Sequence, residues 1–92
     1  MSVYVVCYDI TDDEARDQVR RMLGEYGERV QDSVFEIMLR SEGELERLRE
    51  RLEAVVGAGL DVRFYRLCER CRAESQTLAG DKVAVFPSTI IV

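Results

Sequence analysis

Val3-Tyr4-Val5-Val6-Cys7-Tyr8-Asp9 opens the chain, six apolar or aromatic residues in a row closed by one carboxylate. β-Branched and aromatic residues without polar alternation read as a strand covered on both faces, and such a strand belongs in the middle of a sheet. Whatever stands at its C-terminal end is held at the sheet's rim. Asp9 is therefore either a capping residue for the segment that follows or a handle for a metal ion or a phosphate.

Working outward, Thr11 or Asp12 can cap a helix, with Asp13 and Glu14 complementing its dipole. Ala15, Val19, Met22, Leu23 and Tyr26 recur on one face of that helix, and Gly27 reads as its C-terminal stop. Arg29–Leu39 reads as the second extended stretch, with Gln31, Ser33, Phe35, Ile37 and Leu39 on one side. Ser41 followed by Glu44 is a capping box for a second helix, whose buried face carries Leu45, Leu48, Leu52, Val55 and Val56. Asp61–Leu67 is a further strand. Short extended runs are expected at Ser75–Leu78 and Lys82–Phe86, followed by Pro87 and a β-prone tail, Ser88–Val92.

The order is β-α-β-β-α-β, an α+β arrangement of the ferredoxin-like type with an additional C-terminal strand. Residues 1–80 make the domain. Residues 81–92 have no obvious place in a four-stranded sheet, and an apolar tail is best satisfied on the edge of a second protomer, so a two-fold homodimer is expected. At 92 residues there is room for one core, and so short a chain gains from a partner. No apolar stretch is long enough to span a bilayer and no basic segment leads into an apolar one, which points to the cytoplasm and away from a membrane.

A net charge of −5 argues against a nucleic-acid partner until its distribution is considered. Lys82 is the sole lysine beside twelve arginines, and Arg16, Arg20, Arg21 and Arg29 lie in the first third of the chain with Asp9. Arginine binds phosphate bidentately where lysine acts as a point charge. The plain alternatives are codon bias and pairing with Asp12, Asp13, Asp17 or Glu28. The chain has no histidine, so no Ser-His or Cys-His nucleophile can be built, and no glycine-rich phosphate loop follows the first strand. Cys7 reads as a core residue. Cys68 and Cys71 form a single Cys-x-x-Cys, too few ligands for a structural zinc, and read as two loop cysteines.

Val3–Ile10 (VYVVCYDI), the helix near Asp12, Gly27–Glu36 (GERVQDSVFE) and Tyr65–Cys71 (YRLCERC) together resemble the second CRISPR-associated protein family, the small subunit that accompanies the spacer integrase. The resemblance covers essentially the whole chain. It implies a ferredoxin-like homodimer that bridges integrase dimers and DNA, with members described as metal-dependent endonucleases on RNA or DNA. It places Asp9 as the catalytic and metal-site residue, with magnesium as the cation. Tyr8, Arg16, Arg29, Ser33 and Phe35 fall on family positions, whereas Gln18 stands where some members carry a basic residue. Arg16, Arg20 and Arg29 are the candidate nucleic-acid contacts. Tyr8, on the opposite face from Asp9, reads as a packing or dimer contact, and Ser33 and Phe35 have plain readings as strand and core residues. Two other functions suit the same fold: a toxin-like ribonuclease, and a non-enzymatic regulatory module that binds a small metabolite.

Overall fold

In the computed structural model, which describes residues 1–57 and 61–86, seven elements follow one another. These are β1 (Ser2–Asp9), α1 (Asp13–Gly24), β2 (Gly27–Gln31), β3 (Val34–Leu39), α2 (Glu42–Val56), β4 (Asp61–Leu67) and α3 (Glu69–Glu74). The four strands form one antiparallel sheet in the order β2-β3-β1-β4. This is the ferredoxin-like arrangement expected from the element order. The opening strand is central, as its unbroken apolar run requires.

The core lies between one face of the sheet and helices α1 and α2. Val6, Tyr8, Phe35, Ile37 and Leu39 from the sheet meet Val19, Met22, Leu23, Leu48 and Leu52 from the helices, and all are buried. The helix faces are those that the periodicity of the sequence marks out. Asp12 caps α1, its carboxylate accepting the amide of Ala15 at 2.9 Å. Ser41 caps α2 through the amide of Glu44, but the return bond reaches one residue further than a capping box predicts: Glu44 accepts the amide of Arg40 at 2.7 Å.

Three expectations are corrected. The stretch from Arg29 to Leu39 is a hairpin, because Asp32 and Ser33 turn the chain between Gln31 and Val34, where short polar side chains favour a turn over a ladder. Gly27 does not stop α1, which ends at Gly24; it opens β2 instead. A Cβ on Gly27 would stand 1.9 Å from the carbonyl oxygen of Glu36, so only glycine lets β2 approach β3 this closely. The third correction concerns the residues after β4. Cys68–Ser75 winds into the short helix α3 and its caps, and the extended runs expected at Ser75–Leu78 and Lys82–Phe86 reduce to one bridge between Gln76 and Lys82. Ala84 breaks the second run with a φ of 52°.

Beyond that bridge the chain lies over the sheet face that the helices leave open. The amide of Ala84 donates to Glu36 Oε1 at 2.9 Å and Ala84 is buried. Val85 and Phe86 then line a groove with Tyr26, Gly27 and Met38. The expected tail strand at Ser88–Val92 lies outside the described residues. Among the described residues, no helix is long and apolar enough to cross a membrane.

Candidate nucleic-acid and metal site

The rim where β1 ends gathers three pieces of chain. Tyr8 donates its amide to the carbonyl of Ser33 at 3.2 Å, which fastens the β2–β3 turn beside the end of β1. On the other side Asp9 is in register with Asp61, the first residue of β4. Strand alternation then sorts the side chains onto two faces.

The helix-side face holds a closed polar knot. Tyr8, 5 % exposed, donates its hydroxyl to the carbonyl of Asp32 at 3.2 Å and accepts Arg20 Nε at 3.2 Å. Arg20 also donates Nη2 to the Asp32 carbonyl at 3.1 Å and to its carboxylate at 3.0 Å. The Tyr8 hydroxyl first, and Asp32 and Asp17 after it, hold the Arg20 guanidinium above its ordinary range. Arg16 donates Nη1 to the carbonyl of Ile10 at 3.4 Å and pairs with Asp13, while its Nε is buried with no hydrogen-bond partner among the described residues. Phe35 packs against Tyr8 with ring centroids 6.3 Å apart, deep in the core. Ser33 contributes its backbone to the turn. Arg29 lies on the edge strand β2, opposite Phe35 in the register, and is exposed.

The open face is different. Along β1 it presents Val3, Val5, Cys7 and Asp9, and β4 sets Leu67, Tyr65, Arg63 and Asp61 opposite them in turn. The face thus changes from apolar to charged along the strands. Asp9 is exposed, and its carboxylate has no hydrogen bond or ion pair among the described residues; the capping role open to a strand-end carboxylate belongs to Asp12. Arg63 grips Asp61 side-on, Nε to Oδ1 at 2.9 Å and Nη2 to Oδ2 at 3.4 Å. That carboxylate, and then Tyr65, hold the Arg63 guanidinium above its ordinary range.

The sequence-derived candidates therefore do not share one pocket. Tyr8, Arg16 and Arg20 lie behind the rim and Asp9 before it. Asp61 and Arg63, overlooked in the sequence, stand on Asp9's own face. Their alternation was legible, but the fact that β4 pairs with β1 belongs to the tertiary structure alone. No cluster of three or more His, Cys, Asp or Glu side chains suited to a metal occurs among the described residues. The donors at the rim are hard carboxylate oxygens, the class magnesium takes, and magnesium commonly uses only one or two of them together with water and phosphate. The residues present fit such an ion when a second copy, water or substrate completes its shell.

The model of the CRISPR associated protein Cas2 family matches residues 1–75. The chain belongs to that family. A CRISPR-associated endoribonuclease Cas2 of Rhodospirillum rubrum is 40% identical over 81 residues, which make up 87% of this chain but only 64% of that relative. This chain thus spans less than two thirds of that relative's length. A second, from Synechocystis, is 34% identical over 93 residues and is covered end to end, as is this chain. Among solved structures, a chain of a partial Cas6-RT-Cas1–Cas2 complex superposes with a TM-score of 0.84 at 28% identity, covering 94% of this chain and 100% of that one. Streptococcus pyogenes Cas2 superposes with a TM-score of 0.72 at 27% identity, covering 83% and 98%. Cas2 relatives thus carry both the sequence likeness and the fold.

Proposed function

We propose that this Cas2-family protein is a CRISPR adaptation subunit that works as a homodimer. It bridges a Cas1-type integrase and nucleic acid, and its Asp9 rim supports magnesium-dependent phosphodiester hydrolysis. The observation that carries the reading is the exposed Asp9 carboxylate, unpaired among the described residues, at the charged end of an otherwise apolar sheet face. The named relatives support the nuclease class, and the Cas1–Cas2 neighbour supports the integrase partner.

Each part of the open face has a use. Val5, Tyr65 and Leu67 offer apolar surface to a second copy, and Tyr65 is half exposed. A two-fold axis across that surface brings two Asp9 carboxylates toward one another. Paired carboxylates repel one another, and a divalent cation between them would relieve that repulsion. Magnesium bound there supplies a polarised phosphoryl oxygen and a more acidic water. Asp9 would hold the ion, while Arg29, exposed on β2, would meet the phosphate backbone in a sequence-independent, salt-sensitive way, and Arg16, tied to Ile10 and Asp13, would brace the chain behind the rim. Tyr8 and Arg20 act as positioning residues, because the knot they form with Asp32 holds the end of β1 and the β2–β3 turn together.

Asp9→Ala in the purified protein tests the assignment. Cleavage of RNA or DNA with magnesium present should disappear, while binding of the integrase subunit persists. Cleavage that survives the substitution unchanged overturns the catalytic assignment. Loss of integrase binding alongside it shows that Asp9 serves assembly and not chemistry.

A further inference from the structure

We infer that Arg63 is a phosphate anchor of the Asp9 rim, held in reserve by Asp61 until a phosphodiester takes the carboxylate's place. This rests on the reading that the rim receives nucleic acid. It goes further in naming a residue outside the Asp9, Arg16, Arg20 and Arg29 set and in giving that residue a built-in competitor.

In the β1–β4 register Asp61 faces Asp9 and Arg63 faces Cys7, so the guanidinium rises from the open face one step from the Asp9 carboxylate. Arg16 and Arg20 lie behind the rim, tied to Ile10, Asp13, Tyr8 and Asp32. Arg63 is the arginine that shares Asp9's face in that register.

Its present pairing is a weak one to break. The Arg63 and Asp61 side chains are 63% and 53% exposed, and the grip uses two of the guanidinium's five N–H donors. Exposed ion pairs of this kind contribute little, because water and salt screen them and two side chains must be held still. A phosphodiester presents two anionic oxygens in the same fork geometry. A phosphodiester on the Nε–Nη2 edge takes the place of the Asp61 carboxylate, so the two anions compete for that fork. Asp61 thereby lowers affinity and Arg63 raises it. That opposition of sign distinguishes a latch from a merely solvated ion pair.

The test is fluorescence anisotropy with a labelled DNA duplex and a labelled single-stranded RNA of equal length, on the full chain, after thermal melts confirm that each variant folds. Arg63→Gln should weaken binding by roughly 3–10-fold and flatten the salt dependence by about one ion. Arg63→Lys, which keeps the charge and loses the fork, should fall between. Asp61→Asn should tighten binding by roughly threefold in the wild-type background and leave Arg63→Gln unchanged. Glu50→Gln, on the outer face of α2, controls for net charge. If the wild type binds neither probe, the rim reading fails and Arg63 falls with it. If the wild type binds and Arg63→Gln binds equally well, the anchor alone is wrong. Asp61→Asn tightening binding just as much without Arg63, or Glu50→Gln matching it, overturns the latch.

Discussion

Tyr8→Phe separates a structural from a chemical role for the residue next to Asp9. The substitution removes one oxygen and nothing else. That oxygen donates to the Asp32 carbonyl and accepts from Arg20 Nε, each at 3.2 Å, inside a side chain that is 5 % exposed. Arg20 keeps its two bonds to Asp32, so the knot loosens without opening. A hydrogen bond of ordinary strength contributes about 1 kcal/mol net, and a partner left unsatisfied adds up to about 2 kcal/mol more. Here both bonds are long and Arg20 is partly solvated, which puts the expected loss at about 1–2 kcal/mol. For a domain of this size each kcal/mol lowers Tm by about 4–8 °C. Thermal melting followed by circular dichroism reads that shift directly. The same protein should retain cleavage per folded molecule, since the hydroxyl points behind the rim and Asp9 before it. A Tyr8→Phe protein with unchanged Tm and abolished cleavage would refute this division of the two faces. So would a Tyr8→Phe, Arg20→Ala pair whose losses simply add, because residues within one network should couple.

Other outcomes follow from single contacts. Gly27→Ala must push β2 away from β3, since its Cβ would meet the Glu36 carbonyl oxygen at 1.9 Å and the Ile37 Cα at 2.7 Å. Backbone cannot yield as a side chain does, so a loss of about 3 kcal/mol or more in urea unfolding is expected, and a loss under 1 kcal/mol would contradict the geometry. Arg51 grips Glu25 at 2.8 and 3.1 Å and also donates to Tyr26, which holds the Glu25 carboxyl below its ordinary value of 4.5. Stability from that pair is present above that value and fades as pH falls through the lowered one, so the Tm advantage over Glu25→Gln should shrink in acid; an advantage independent of pH would exclude the pair. The Cys71 amide, at 3.3 Å from Cys68 Sγ, and then the Cys71 thiol lower the Cys68 thiol, with Arg66 adding to the effect, while the neighbouring Cys68 raises Cys71. Iodoacetamide should therefore modify Cys71→Ser faster than Cys68→Ser near neutral pH, and equal rates would refute the asymmetry.

The sequence by itself determined the layers of this protein. An unbroken apolar run at Val3–Tyr8, two helices with apolar faces at Val19, Met22, Leu23 and at Leu48 and Leu52, and caps at Asp12 and Ser41 are local signals. Local periodicity fixes which side of an element is buried whatever it packs against. The order of those elements led to the ferredoxin-like class, although the two middle strands of its sheet separate only at the turn of Asp32 and Ser33. The sequence could not supply whatever depends on who lies beside whom. Tyr8 and Asp9 are adjacent in the chain and yet serve opposite faces, a separation that alternation foretold. That Tyr8 closes a knot with Arg20 and Asp32, and that Asp9 meets Asp61 and Arg63, required the pairing of β1 with β4 and the hairpin at Asp32–Ser33. A hairpin and a continuous strand share the same alternation until a turn is inserted, and Gly27 shows its purpose only once Glu36 is beside it. The carboxylate at the end of the first strand was legible from the outset. Its neighbours became legible only when the sheet closed around it, because hydrogen bonds between strands bring together residues that the chain keeps some fifty positions apart.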